Sequence, residues 1–175
     1  MRRLVAVGAL LVMVVVAAPA AGQTPGIPAE GAVSTAGIGL AQNAWTAAHG
    51  PGNYGQNYVI FENGRYFVQF RDGVTSYIEY GWDKPGILFT EAQDAARTFL
   101  PSDARLTESY ELPPTGAGPI GIFVERYDSP ALTALSPSWG TTPWNGVLIA
   151  YFQTPSPDSI HLNVTRVSIA AGVPS

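Results

Sequence analysis

The sequence predicts an α+β domain: an antiparallel sheet of about seven strands with two helices on one face, in the order α-β-β-β-α-β-β-β-β. Three observations predict it. Asn63-Gly64 and Asp72-Gly73 sit between runs of aromatic and β-branched residues, and such dipeptides supply the paired positive-φ residues of tight hairpins. Strands come in runs instead of alternating with helices, so a parallel βαβ sheet is not expected. The chain holds 19 Gly and 15 Pro and is only 13% charged, a composition suited to strands joined by many turns. The order also reads as two related α-plus-meander halves.

Met1 to Ala20 has the layout of a secretory signal peptide. Arg2 and Arg3 precede an uncharged run from Leu4 to Ala18, and Ala18-Pro19-Ala20 is a small-x-small cleavage pattern, with a second cleavage point after Gly22. The apolar run is short for a bilayer span of roughly 20 residues, so cleavage is expected; membrane attachment would require the signal to stay uncleaved. Residues 21–36 are rich in Gly, Pro and Ala and read as a flexible linker. Residues 37–173 then form a single globular domain.

The first helix is expected from about Gly37 to His49, with Leu40, Ala41, Ala44, Trp45 and Ala48 at helical spacing on one face. Ser34 or Thr35 would cap its start, and Gly50-Pro51 stops it. A three-stranded meander follows over Tyr58–Tyr80. With two-residue loops, Val59, Phe61, Tyr66, Val68, Phe70 and Tyr77 share the core face, and Ile60, Phe67 and Ile78 the other. Trp82 to Phe89 reads as a loop. A second helix starts with Thr90 as N-cap and Gln93 in the capping-box position, carries Ala92, Ala95, Ala96, Phe99 and Leu100 as its stripe, and ends at Pro101. Four strands complete the chain: Arg105 to Leu112, with Leu106, Tyr110 and Leu112 on one side; Ile120 to Tyr127; Val147 to Phe152, apolar on both faces as a central strand is; and Ile160 to Ile169. The last changes phase, which predicts a β-bulge near Thr165 or Arg166.

The helix ending in His49-Gly50-Pro51, followed by hairpins carrying Tyr66-Phe-Val-Gln-Phe-Arg-Asp-Gly-Val74 and Ile78, resembles one repeat of the BamE-like (SmpA/OmlA) and β-lactamase-inhibitor-like group. The resemblance covers about Gly37 to Tyr80. It implies a non-catalytic binding module of the cell envelope or a secreted inhibitor. No Cys follows the apolar leader, which argues against a BamE-type lipoprotein.

Composition excludes several functions. There is no Cys, so thiolate metal sites, thiol nucleophiles and disulfides are absent. Without Arg2 and Arg3 the chain keeps seven basic and thirteen acidic side chains, net −6, with one Lys and no basic run. A nucleic-acid partner needs a positive footprint and is not expected. His49 and His161 have no second His at ligand spacing, so neither a metal nor a cofactor is expected. No Gly-x-Ser-x-Gly elbow occurs.

The residues leave three readings. The first is an exported, non-catalytic module that binds a protein partner, inhibitor-like or envelope-associated. The second is a carbohydrate or small-ligand binder using loop tryptophans and sheet aromatics such as Tyr58 and Tyr80. The third is a hydrolase with a carboxylate pair, Glu79 with Asp83 or Glu125 with Asp128. The long connection Asp128 to Gly146 carries the candidate binding residues Leu132, Leu135, Trp139 and Trp144. Loops of that length are often functional, and Trp anchors interfaces or stacks on sugar rings. The alternative for these residues is structural: one helical turn over Ala131–Leu135, with both Trp plugging the edge of the core.

Overall fold

The computed structural model describes residues 37–113, 121–135, 146–155 and 162–172. Among them are nine strands and three α-helices, an α+β architecture with more strands and one more helix than the sequence predicted. In chain order these are α1 (Gln42–His49), β1 (Asn53–Tyr54), β2 (Val59–Phe61), β3 (Tyr66–Arg71), β4 (Val74–Gly81), β5 (Ile87–Leu88), α2 (Phe89–Arg97), β6 (Arg105–Leu112), β7 (Gly121–Asp128), α3 (Pro130–Leu135), β8 (Gly146–Pro155) and β9 (Leu162–Ala171). The sheet is antiparallel throughout, with strand order β1-β2-β3-β4-β9-β8-β7-β6 and β5 added beside β9. The C-terminal strand therefore joins the N-terminal meander to the β6–β8 meander.

The first helix starts five residues later than expected. Gly37 to Ala41 is a turn, tied down by the Ile38 amide on the Phe99 carbonyl (2.9 Å) and the Gly39 amide on the Thr75 carbonyl (2.8 Å). Of the expected apolar face, Trp45 alone is buried, while Ala44 and Ala48 face solvent. Trp45 packs against Phe61, Tyr66 and Phe99. Gly50, at φ 78°, ends the helix as predicted.

The meander turns where expected, with two differences. Phe61 pairs with Tyr66, so the first loop has four residues, Glu62–Arg65, including a 3-10 turn. Arg71 pairs with Val74, so the second is the two-residue Asp72-Gly73 turn, both at positive φ. Beyond it a bulge at Ser76 shifts the register: Phe70 faces Thr75, but Gln69 faces Tyr77. An extra residue reverses the alternation downstream. Ile78 and Tyr80 thus take the core face, and Tyr77 the opposite one, contrary to the expectation. The same physics acts on β6, where a register shift between Leu106 and Glu108 places Leu106 opposite Tyr127 on the helix-covered face and leaves Tyr110 and Leu112 on the other. The bulge predicted in β9 is found: Arg166 pairs with Phe152 and Val164 with Gln153, leaving Thr165 extra.

The core follows from these registers. Val59, Val68, Ile78, Ile169 and Ile149 form one row across five strands, and the row continues to Glu125. Phe61, Tyr66, Tyr80, Val167, Tyr151 and Phe123 form the next. Trp45 of α1, Ala92 and Ala96 of α2 and Leu132 of α3 close over this face. Each fully buried large apolar side chain contributes about 1.5–3 kcal/mol. The start of α2 differs from expectation. Leu88, not Thr90, is the N-cap residue, no side chain caps the helix, and Gln93 reaches the sheet instead of its own N-terminus. None of the described helices is long and apolar enough to cross a membrane.

Candidate functional site

A cavity of about 730 Å³ opens at one end of the β3–β4 hairpin. Three segments form it: the Glu62–Arg65 loop, the end of β4 with Trp82 and Asp83, and the C-terminal end of α2 with Ala95, Thr98 and Phe99. The loop is pinched because Glu62, Asn63 and Gly64 all lie at positive φ, a bend that Asn and Gly accommodate. Gly81 is required where β4 passes β9, since a Cβ there would lie 2.7 Å from the Thr165 carbonyl oxygen. The Trp82 amide then donates to that carbonyl (3.0 Å), which fixes the residue that walls the cavity.

Four rings line the cleft. Tyr80 lies 5.1 Å from Trp82, 5.4 Å from Phe99 and 5.8 Å from Tyr66, centroid to centroid. Tyr80 is 6% exposed, and its hydroxyl has no hydrogen-bond partner among the described residues. Burial holds the Tyr80 phenol well above its ordinary value, so it stays protonated and can donate. Burial also raises Tyr66, against the opposing pull of the Arg65 guanidinium, which sits 5.3 Å from the ring centre. The mouth carries both signs of charge. Glu62 bonds His49 at 2.7 Å and Arg65 at 3.5 Å, and Asp83 lines the same cavity as Glu62 and Arg65. His49 stacks on Trp45, 4.3 Å between ring centres.

A second polar cluster lies under α2. Glu125, 2% exposed, continues a row of five aliphatic side chains. Its carboxylate accepts from Gln93 (2.7 Å) and Arg97 (2.8 Å) on one oxygen, and from Tyr127 (2.9 Å) and Tyr151 (2.8 Å) on the other. Arg97 also donates to the Tyr127 hydroxyl at 3.0 Å. Burial first, and then the hydrogen bond to Glu125, raise Tyr151. With four donors the carboxylate is saturated and shielded from solvent. It ties α2 to the sheet and is not free for acid–base work.

Of the two candidate carboxylate pairs, Glu125 with Asp128 is split between the two faces of the sheet, whereas Glu79 and Asp83 both border one smaller cavity of about 280 Å³. Asp128, on the same strand as Glu125, pairs with Arg105 and Gly146, is exposed, and its side chain takes the opposite face. In that smaller cavity Glu79 accepts from Tyr77 (2.6 Å) and faces Arg166 (3.7 Å), and Asp83 also borders the aromatic cleft. Of the four candidate binding residues, Leu132 is 1% exposed and belongs to the core, Leu135 is 42% exposed at the end of α3, and Trp139 and Trp144 lie outside the described residues, as does His161. The predicted turn over Ala131–Leu135 is the helix α3, capped by the Ser129 hydroxyl, which accepts from the Leu132 amide (3.3 Å). Among the described residues no three His, Asp or Glu side chains are placed to hold a metal ion.

Tyr80 is legible in the sequence as a sheet aromatic, but nothing in the sequence marks Trp82, Tyr66 and Phe99 as its companions. Tyr66 lies on β3, Trp82 just past β4 and Phe99 just past α2, and only the pairing of β3 with β4 and the placement of α2 bring them together. Their signal in the sequence is slight: an aromatic residue one step past a strand-ending glycine. No family model, curated protein or solved structure matches the chain.

Proposed function

We propose that the protein is a non-catalytic binding module whose cleft at Tyr80 receives a small ligand with a flat ring and a hydrogen-bond acceptor. The observation that carries this reading is the Tyr80 hydroxyl, buried among aromatic rings beside an open cavity and lacking a partner among the described residues. A buried hydroxyl left unpaired costs about 1–3 kcal/mol, part of which an acceptor on a ligand would recover. The rings offer flat apolar area, Glu62, Arg65 and Asp83 at the mouth offer orientation, and the volume falls within the roughly 300–1,000 Å³ of small-molecule sites. The signal-like leader supports a role outside the cytoplasm. The resemblance of residues 37–80 to envelope and inhibitor modules supports binding over catalysis.

A screen of aromatic heterocycles by ligand-observed NMR tests this against wild type, Tyr80→Phe and Trp82→Ala. Ligands should bind wild type and lose about tenfold in Tyr80→Phe, the worth of one hydrogen bond. No ligand, or ligands indifferent to both substitutions, refutes it.

A second reading, a protein partner, has one specific observation in its favour. All eight residues of β6 are exposed, and β6 has no neighbour on its outer edge among the described residues. Such an edge can accept an added strand. Capture of a partner by wild type and its loss in a folded Ser109→Pro variant would favour this reading.

A further inference from the structure

A second groove, sharing no lining residue with the cleft at Tyr80, lies at the other end of the β2–β3 pair. Its volume is about 480 Å³. It exists because β2 is shorter than β3. Their pairing stops at Val59–Val68, so Gln69, Phe70 and Arg71 have no strand beside them on that edge, and the chain from Gly55 to Tyr58 swings away. That swing is closed by the Gly55 amide on the Tyr58 carbonyl (2.8 Å).

Two features make the groove unusual. The first is an uncovered aromatic ring. Tyr54 is 77% exposed, yet it is not left loose: Gln42, the first residue of α1, donates to its hydroxyl at 3.1 Å. A ring tethered by its polar end keeps its faces available. Tyr58 is also exposed, with its ring braced by Phe67 and Tyr77. The second is the polar lining. It consists of carboxamides, Gln42, Gln56, Asn57 and Gln69, with Arg71 as the single charged group and no carboxylate.

That chemistry selects among ligand classes. A carboxamide donates and accepts at once, which suits hydroxyl groups that do the same. A lining without carboxylates lacks the anionic oxygens that hold a metal ion or a cationic ligand tightly, and a single exposed Arg is a weak basis for selecting anions. A free peptide strand would need a longer edge than the three residues Gln69–Arg71. A sugar ring offers an apolar C–H face to a tyrosine and neutral hydroxyls to the amides around it. We infer that the Tyr54–Tyr58 groove is a binding site for a neutral oligosaccharide, with Tyr54 as the stacking platform and Gln56, Asn57 and Gln69 as hydroxyl partners.

Titration of the whole chain with maltohexaose, cellohexaose and chitohexaose, followed by two-dimensional NMR to about 10 mM sugar, tests the inference at the weak affinities an open groove gives. At least one sugar should bind and shift amides of residues 54–58 and 69–71. Tyr54→Ala should weaken it about tenfold, and Tyr54→Phe, which keeps the ring, should retain most of the affinity. Trp82→Ala should leave sugar binding unchanged, which separates this site from the one at Tyr80. No binding by any of the three sugars overturns the inference. So does sugar binding indifferent to Tyr54→Ala, or a blocked Val-Thr-Val-Thr peptide that shifts the same amides when no sugar does.

Discussion

Glu125→Ala is expected to be among the most destabilising single substitutions in the sheet. The carboxylate collects four hydrogen bonds, two of them from phenols that have no route to water: Tyr151 is fully buried and Tyr127 nearly so. Each phenol left without its acceptor costs about 1–3 kcal/mol. Tyr127 retains its contact with Arg97, so the larger share falls on Tyr151. Gln93 and Arg97 are only partly covered, and water can take over their donors at little cost; the Arg97 side chain is 43% exposed. The removed atoms add a small cavity. The total is about 3–4 kcal/mol, a substantial part of the 5–15 kcal/mol that stabilises a domain. Urea denaturation followed by circular dichroism measures it, and at about 2–4 °C per kcal/mol for a domain of this size the melting temperature should drop by roughly 6–16 °C. Tyr151→Phe removes one donor and opens no cavity, so it should cost less, about 1–2 kcal/mol. A loss below about 1 kcal/mol for Glu125→Ala with an unchanged denaturant slope would show that the network is solvated and would refute the reasoning.

Three other perturbations have definite expected outcomes. Tyr77 is pushed up to about 12, first by burial and then by its hydrogen bond to Glu79, whereas an unfolded phenol ionises near 10. Stability should therefore be level below pH 10 and fall as pH rises from about 10 to about 12, more gently in Tyr77→Phe; a urea midpoint constant through about pH 11 would contradict this. Gly146→Ala drives a Cβ into the Tyr127 carbonyl oxygen where β8 pairs with β7, and should cost about 1–3 kcal/mol by urea denaturation. Ser129→Ala removes the cap of α3 and the Ser129–Asp103 hydrogen bond (2.7 Å), for a loss of about 1 kcal/mol, readable as a lower thermal midpoint.

Local chemistry made much of the fold legible. The Asp72-Gly73 turn, the stop at Gly50, the span of β6, the two-sided apolar character of β8 and the bulge in β9 each depend on a few adjacent residues, and each is found. The reversed faces in β4 and β6 have a common source. Ser76 and Thr107 are ordinary small polar residues, but each is the extra residue in a bulge, and one such residue sends every side chain beyond it to the opposite face. Gln93 had the right spacing for a capping box, yet a buried carboxylate 32 residues away outcompeted the helix terminus for its amide.

The sequence by itself determined the α+β class, where most strands and turns fall, and the absence of thiol chemistry, because these depend on residue type and short-range spacing. Only the tertiary structure decided that the C-terminal strand lies between β4 and β8, that Glu125 is a buried tie and not a reactive acid, and that Tyr66, Tyr80, Trp82 and Phe99 surround one cleft. Strand order and register are set by the summed burial of whole faces. Residues far apart in the chain become neighbours only after that sum has selected one arrangement.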